Sequence, residues 1–237
     1  MPLVEVKNLV KNYGKIEAVR GISFTIDKGE IFGLIGPNGA GKTTTLRVLS
    51  TLLTITSGNI KIMNYDLDKK PGEIRKIISY LPEDAGAYKN LTGRKYLEFI
   101  ANFFESDQKQ DMIRKGIEIA DLSDRIDDRV DTYSKGMTRK LLVGRALMTN
   151  PKLTILDEPT SGLDVINAQE IRKLIKNTSK KGTTILLSSH NMLEVEYLCD
   201  RIALLSKGKI VEEGVPKTLM NKYKASNIEE VFTKVVK

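Results

Sequence analysis

Gly36, Pro37, Asn38, Gly39, Ala40, Gly41, Lys42 and Thr43 fill the spacing G-x-x-x-x-G-K-[ST] completely. Glycines let a backbone wrap closely, so that successive N–H groups turn inward on an anion. A helix starting near Gly41 adds the positive end of its dipole beneath that anion. Lys42 then reaches the β- and γ-phosphates of a nucleotide, the Thr43 hydroxyl holds Mg2+, and Thr44 lies where it touches the α-phosphate. A glycine-rich turn alone would account for the glycines, but not for their surroundings. An apolar run over residues 31–35 enters the motif and helical spacing over 43–53 leaves it. Strand, loop and helix are the order a phosphate-binding unit needs.

Two carboxylates, Asp157 and Glu158, close a second apolar run over residues 153–156. Acidic turns after strands are common, yet with a phosphate loop upstream these two have chemical work to do. Asp157 suits a water-mediated Mg2+ contact, and Glu158 can orient and polarise a water for in-line attack on phosphorus. The lone histidine, His190, follows another apolar run at 184–187, and Asn191 with Glu194 reads as a helix cap just beyond it. Parallel α/β proteins place ligands at the carboxyl ends of strands. If the two strands are neighbours, His190 adjoins Asp157 and Glu158 and contacts a γ-phosphate. Ser134 and Gly136 open a helix running to residue 150, with an apolar face of Leu141, Leu142, Ala146 and Leu147. Ser134 serves there as an ordinary N-cap, and serine with glycine at a helix start also forms an anion site.

These residues need a scaffold, and the rest of the chain supplies its pattern. The first thirty residues alternate (Val4, Val6, Leu9, then Val19, Ile22, Phe24, Ile26) and predict two antiparallel strands around Tyr13 and Gly14. Residues 88–150 turn helical, with polar faces and no convincing strand. After Pro151 the α/β rhythm resumes: strand 153–156, helix 165–181, strand 184–187, helix 192–199, and a hairpin of 201–206 with 209–215. The expected fold is α/β, a P-loop NTPase core with a mostly parallel sheet, an antiparallel N-terminal β portion and an inserted α-helical subdomain. One cassette spans 1–237, with 1–87 and 151–237 as the α/β catalytic core and 88–150 as the helical subdomain.

Bulk composition excludes some classes. The 237 residues, 41% of them hydrophobic, suffice for one sizeable core or two coupled ones. A single cysteine, Cys199, rules out an intramolecular disulfide and predicts a reducing, cytosolic setting. No window approaches the ~20 apolar residues of a membrane span, and MPLVEVKNLVKNYG lacks the apolar stretch of a signal peptide, so the chain is expected to be soluble. The net charge of +8 is scattered, with Lys-Lys doublets only at presumed loops or helix ends, and reads as a solvated surface.

The motifs together resemble the ATP-binding cassette of ABC transporters over nearly the whole length. Residues 36–43 match Walker A, 153–158 match Walker B, Ser161 to Asp164 match the D-loop, and His190 matches the switch histidine. Residues 133–140 occupy the signature, usually LSGGQ, but depart from it: Tyr133 replaces Leu, Lys135 the first Gly and Met137 the Gln. Ser134 and Gly136 remain. The resemblance implies that Tyr13 stacks on adenine and that two cassettes pair head to tail, each ATP lying between one P-loop and the partner's signature helix, with Asp164 at the nucleotide. Binding closes the pair, hydrolysis reopens it, and the helical subdomain passes the motion to a separate transmembrane permease subunit on the cytoplasmic face of the cell membrane.

Two stretches narrow the subfamily. Residues 80–88 resemble the "YLPEE-GLY" form of ABC-2-type exporters, and 227–232 resemble their "LEDVF" ending. Most cassettes carry glutamine where this chain has Glu83. A carboxylate offers oxygen only, with a charge that favours Mg2+ and repels a γ-phosphate, so Glu83 is expected among the metal ligands, with a solvated loop as its plain alternative. The rival function is a non-transport cassette ATPase acting on nucleic acid or ribosomes. The insertion is too short for a long coiled coil and only one cassette is present, so no nucleic-acid partner is expected.

Overall fold

A computed structural model describes residues 2–104 and 107–236, apart from the side chains of Leu193 and Glu194. The cap read at Asn191 and Glu194 therefore lies outside the described residues. Val4–Tyr13 (β1) and Ile16–Ile26 (β2) pair antiparallel around Gly14, as their alternation predicts. Ile31–Ile35 (β3) feeds the glycine loop and Lys42–Leu49 (α1). That helix stops short of the span 43–53 expected from its spacing. Ser50 caps it and Thr51 lies at φ +62°, left-handed backbone that cannot continue the turn.

Ser57–Ile62 (β4), Tyr65–Asp66 (β5), Pro71–Ile77 (α2) and Ile78–Leu81 (β6) come next. Their own periodicity announces none of them. In β4 only Ile60 and Ile62 are buried, and antiparallel pairing with β1 is what makes it a strand. Gly93–Ala101 (α3), Lys109–Ala120 (α4) and Lys135–Leu147 (α5) follow, with short 3-10 turns at Ser123–Asp127 and Val130–Thr132. The chain then runs through Leu153–Asp157 (β7), Val165–Lys180 (α6), Thr184–Ser189 (β8), Met192–Leu198 (α7), Arg201–Ser206 (β9) and Lys209–Gly214 (β10). Pro216–Tyr223 (α8) and Ile228–Val236 (α9) follow.

The strands form two sheets. One is antiparallel with order β2-β1-β4-β5, and the other has order β10-β9-β3-β8-β7-β6, parallel except for β10. Strands buried on both faces read as unbroken apolar runs, and the period of two sorts their side chains between two cores. Ile31, Ile35, Ile185, Leu187, Ile202 and Leu204 face one side, sharing a cluster with α3 to α9. Phe32, Leu34, Leu186, Ala203 and Leu205 face the other, packed against α1 and the antiparallel sheet. The central strands β3, β7 and β8 thus bring the glycine loop, the two carboxylates and His190 to one edge. Among the described residues no helix is long and apolar enough to cross a membrane.

Candidate active site

The glycine loop is tied to the strands on either side of β3. Gly36 N–H donates to Ser189 O of β8 at 3.3 Å, and Gly208 N–H, in the β9–β10 turn, donates to Ala40 O at 3.1 Å. Gly36 has no room for a side chain, since a Cβ there would lie 2.2 Å from Leu205 O. Gly41 holds φ +104° and caps α1 without a side chain, leaving the first N–H groups of that helix facing the loop. Pro37, Asn38 and Gly39 form the exposed lip of the loop, while Ala40 is buried beneath it. Thr44 is half-buried on the first turn of α1.

The parallel register places Asp157 opposite Ser188. Asp157 Oδ1 accepts from Thr43 Oγ1 at 3.2 Å and from Ser188 Oγ, and Oδ2 accepts from Tyr80 OH at 3.4 Å. At 2% exposure this carboxyl is pushed up by burial, an effect its bonds to Ser188 and Thr43 oppose and the charges of Glu158 and Glu83 reinforce. Tyr80, half-buried beside it, is pushed up to about 12 by desolvation and the Asp157 charge. A bivalent cation beside Asp157 would offset the cost of its charge. Thr43 and Asp157 offer the hard oxygen donors that Mg2+ takes when substrate phosphates and water complete its shell. Among the described residues no three His, Cys, Asp or Glu gather into a cage that would hold a metal without phosphates. The donor set fits Mg2+ bound together with a nucleotide.

Glu158 stands one residue further, with two cationic or donor partners. Its Oε1 lies 3.4 Å from Lys42 Nζ, with both side chains 6% exposed. Its Oε2 is 2.8 Å from His190 Nδ1, so that nitrogen carries a proton and donates, and the His190 N–H adds a bond at 3.3 Å. Lys42 also donates to Gly36 O at 2.8 Å and Pro37 O at 3.3 Å. Strand adjacency therefore unites Lys42, Thr43, Asp157, Glu158 and His190. β7 and β8 are neighbours, and His190 lies beside Glu158 as that adjacency implies, but the spacing of the sequence did not reveal Ser188 or Tyr80. The signal was available only as strand register, since Ser188 is one more polar residue at the end of an apolar run.

Five expected residues stand apart from this cluster. Tyr13, 44% exposed, ends β1, with Lys11 Nζ 5.3 Å from its ring centre. Ser134 caps α5 by accepting the Met137 N–H at 3.2 Å. Gly136 packs against Asn167 of α6, and Asp164 caps α6 by accepting that residue's N–H at 3.0 Å. The turns that open α5 and α6 are thus neighbours through Asn167. Glu83 lies exposed on the loop after β6, and its carbonyl accepts from Arg139 Nη2 of α5 at 3.0 Å. Burial lowers the Arg139 guanidinium, and the Glu83 carboxylate partly restores it.

Known proteins share both this sequence and this fold. The ABC transporter family profile matches residues 19–161. The linearmycin resistance ATP-binding protein LnrL of Bacillus subtilis is 36% identical over 222 residues, covering 93% of this chain and 71% of that protein. The bacitracin transport ATP-binding protein BcrA of Bacillus licheniformis is 38% identical over 212 residues, covering 89% of this chain and 69% of its own. A solved ATP-binding subunit of an ABC transporter superposes with TM-score 0.86 at 29% identity, over 99% of this chain and all (100%) of the other. A phosphate loop facing two strand-end carboxylates and a histidine, with these relatives, places the protein: the chain belongs to the ABC transporter family, as an ATP-binding subunit.

Proposed function

We propose that this chain is the ATP-hydrolysing motor of an ABC-2-type exporter, acting as one of two head-to-tail cassettes beneath a separate transmembrane permease. The observation that carries the reading is the chain of contacts from Lys42 through Glu158 to His190 across the mouth of the glycine loop. ATP phosphates in residues 36–43 compete for the Lys42 ammonium. When Lys42 turns to them, Glu158 Oε1 is released to a water while Oε2 stays with the His190 ring. Glu158 then orients that water for in-line attack, and Lys42 draws off charge from the transferring phosphoryl group. Thr43 and Asp157 would hold Mg2+, which would supply positive charge to offset that of the phosphates. His190 holds Glu158 at the angle it needs and reaches the γ-phosphate.

The remaining residues serve the pair of cassettes. Ser134 and Gly136 meet the partner's γ-phosphate, and Asp164 lies beside them at the nucleotide. Residues 88–150 act as the helical subdomain that follows the closure and passes it to the permease, with 1–87 and 151–237 as the catalytic core. The assembly sits on the cytoplasmic side of the membrane through that permease. Expressed with an adjacent reading frame of about six apolar spans, the chain should sediment with membranes and hydrolyse ATP there. Nucleic-acid-stimulated ATPase with no membrane association would overturn the transport reading.

Tyr13, an exposed ring at the end of β1, is assigned to adenine. Tyr13→Ala is expected to weaken ATP affinity by ~1–3 kcal/mol, the usual worth of base–aromatic stacking, while Tyr13→Trp retains it; a fluorescent ATP analogue titration reads both. An unchanged affinity in Tyr13→Ala would leave it a turn residue. Glu83, through its charge near Asp157, is assigned to the metal. Glu83→Gln should raise the Mg2+ concentration for half-maximal turnover about fivefold, the effect of ~1 kcal/mol from one screened charge. An identical Mg2+ profile would return Glu83 to the solvent.

A further inference from the structure

Ser188 is the last residue but one of β8, paired across the parallel ladder with Asp157. Residues in register on neighbouring strands project to the same face, so its hydroxyl meets the Asp157 carboxylate. The side chain is wholly buried (0% exposed). Its Oγ donates to Asp157 Oδ1 at 2.5 Å and accepts the Glu158 N–H at 3.0 Å. A hydroxyl has one proton to give and lone pairs to receive with, so the two bonds are compatible in one rotamer.

The acceptor role matters because of the backbone at Glu158. That residue sits at φ +48°, the left-handed region that a side-chain-bearing residue keeps only when its surroundings enforce it. On one side the turn is closed by Ser161 N–H donating to Glu158 O at 3.1 Å. On the other, the peptide linking Asp157 to Glu158 is held by Ser188. Rotation of that peptide would carry the Glu158 side chain away from Lys42 and His190. It would also leave a buried N–H without an acceptor, which folded proteins rarely tolerate.

We infer that Ser188 is a positioning residue for hydrolysis: one hydroxyl ties the Asp157 carboxylate to the Glu158 backbone, so that the metal-side and water-side carboxylates are aimed together. The inference rests on the roles given to Asp157 and Glu158 under Proposed function. The Ser188 hydroxyl is committed to the Asp157 carboxylate and the Glu158 amide, so it acts through those two residues. Thr43 and Tyr80 also bond Asp157, but neither reaches the Glu158 amide, and only Ser188 spans both.

The test compares Ser188→Thr with Ser188→Val, side chains of nearly equal shape that differ by the hydroxyl, alongside Ser188→Ala. Three quantities are read on the full chain: kcat and KM for ATP, ATP Kd with Mg2+ and with EDTA, and the thermal midpoint. Ser188→Val and Ser188→Ala should lose at least tenfold in kcat. The gain in ATP affinity on adding Mg2+ should shrink several-fold, while Kd in EDTA stays within twofold. Ser188→Thr should recover both properties. A merely structural serine predicts otherwise: Thr and Val would fail alike, or kcat would follow the thermal midpoint, and either result overturns the proposal. If Ser188→Ala does not fold, the Thr and Val pair decides. Glu158→Gln separates the two readings. Parent turnover in that variant refutes the role of Glu158, whereas the Mg2+ effect on affinity tests Ser188 at Asp157 independently.

Discussion

Glu158→Gln is expected to bind ATP as tightly as the parent, turn it over about a hundred to ten thousand times more slowly, and accumulate as an ATP-bound dimer. The range is that of a lost general base or water-orienting group. The structure explains why the rest of the site should survive. Lys42 keeps its bonds to Gly36 O and Pro37 O, so its buried ammonium is not stranded by loss of the partner charge. The Gln amide oxygen still accepts from His190 Nδ1, and the amide keeps the volume of the carboxylate. What disappears is the charge that polarises a water. Single-turnover hydrolysis and gel filtration with ATP measure both consequences. Hydrolysis at the parent rate would remove Glu158 from the mechanism, and a monomer that binds ATP without hydrolysing it would remove the coupling of closure to bound nucleotide.

Gly36→Ala is expected to cost about a hundredfold in turnover, with a fall in stability of ~1–3 kcal/mol from overpacking. Motif logic assigns this glycine to the wrapping of the loop around phosphate. The structure adds a different constraint from behind. A Cβ at Gly36 would lie 2.2 Å from the carbonyl oxygen of Leu205, a backbone atom of β9 that cannot rotate aside. Since β3 is held between β8 and β9, relief must come from movement of the loop itself. The Gly36 carbonyl that steadies Lys42 would move with it. A shift near 1 Å in groups that must meet a γ-phosphate is enough for the predicted loss. Steady-state ATPase with urea unfolding checks the two parts, and a variant with turnover within threefold of the parent would show that the contact is relieved elsewhere.

Much of the site could be read before the fold was known, but unevenly. Residues 36–43, Asp157, Glu158 and His190 declare themselves because phosphate chemistry confines residue types to short local spacings. The parallel strands declare themselves because burial on both faces leaves unbroken apolar runs, as in residues 184–187. The stretch holding β4, β5, α2 and β6 stayed silent. In β4 only Ile60 and Ile62 are buried, and a strand made by pairing with a distant partner leaves little trace in its own periodicity. The predicted helix over 43–53 ran too long because apolar spacing cannot register a left-handed backbone at Thr51.

By itself, then, the sequence determined the residue types from which the proposed chemistry is drawn: a glycine loop with the spacing of a phosphate site, two strand-end carboxylates and a histidine, and a two-sided sheet to carry them. Those are properties of residue type and local spacing, which the chain holds in any conformation. Tertiary structure alone decided the partnerships. The register of β7 against β8 set Ser188 under Asp157, the left-handed turn at Glu158 aimed its carboxylate between Lys42 and His190, and β9 closed the space behind Gly36. Each of these contacts joins residues far apart in sequence, and its distance is set by how strands stack, which no local spacing encodes.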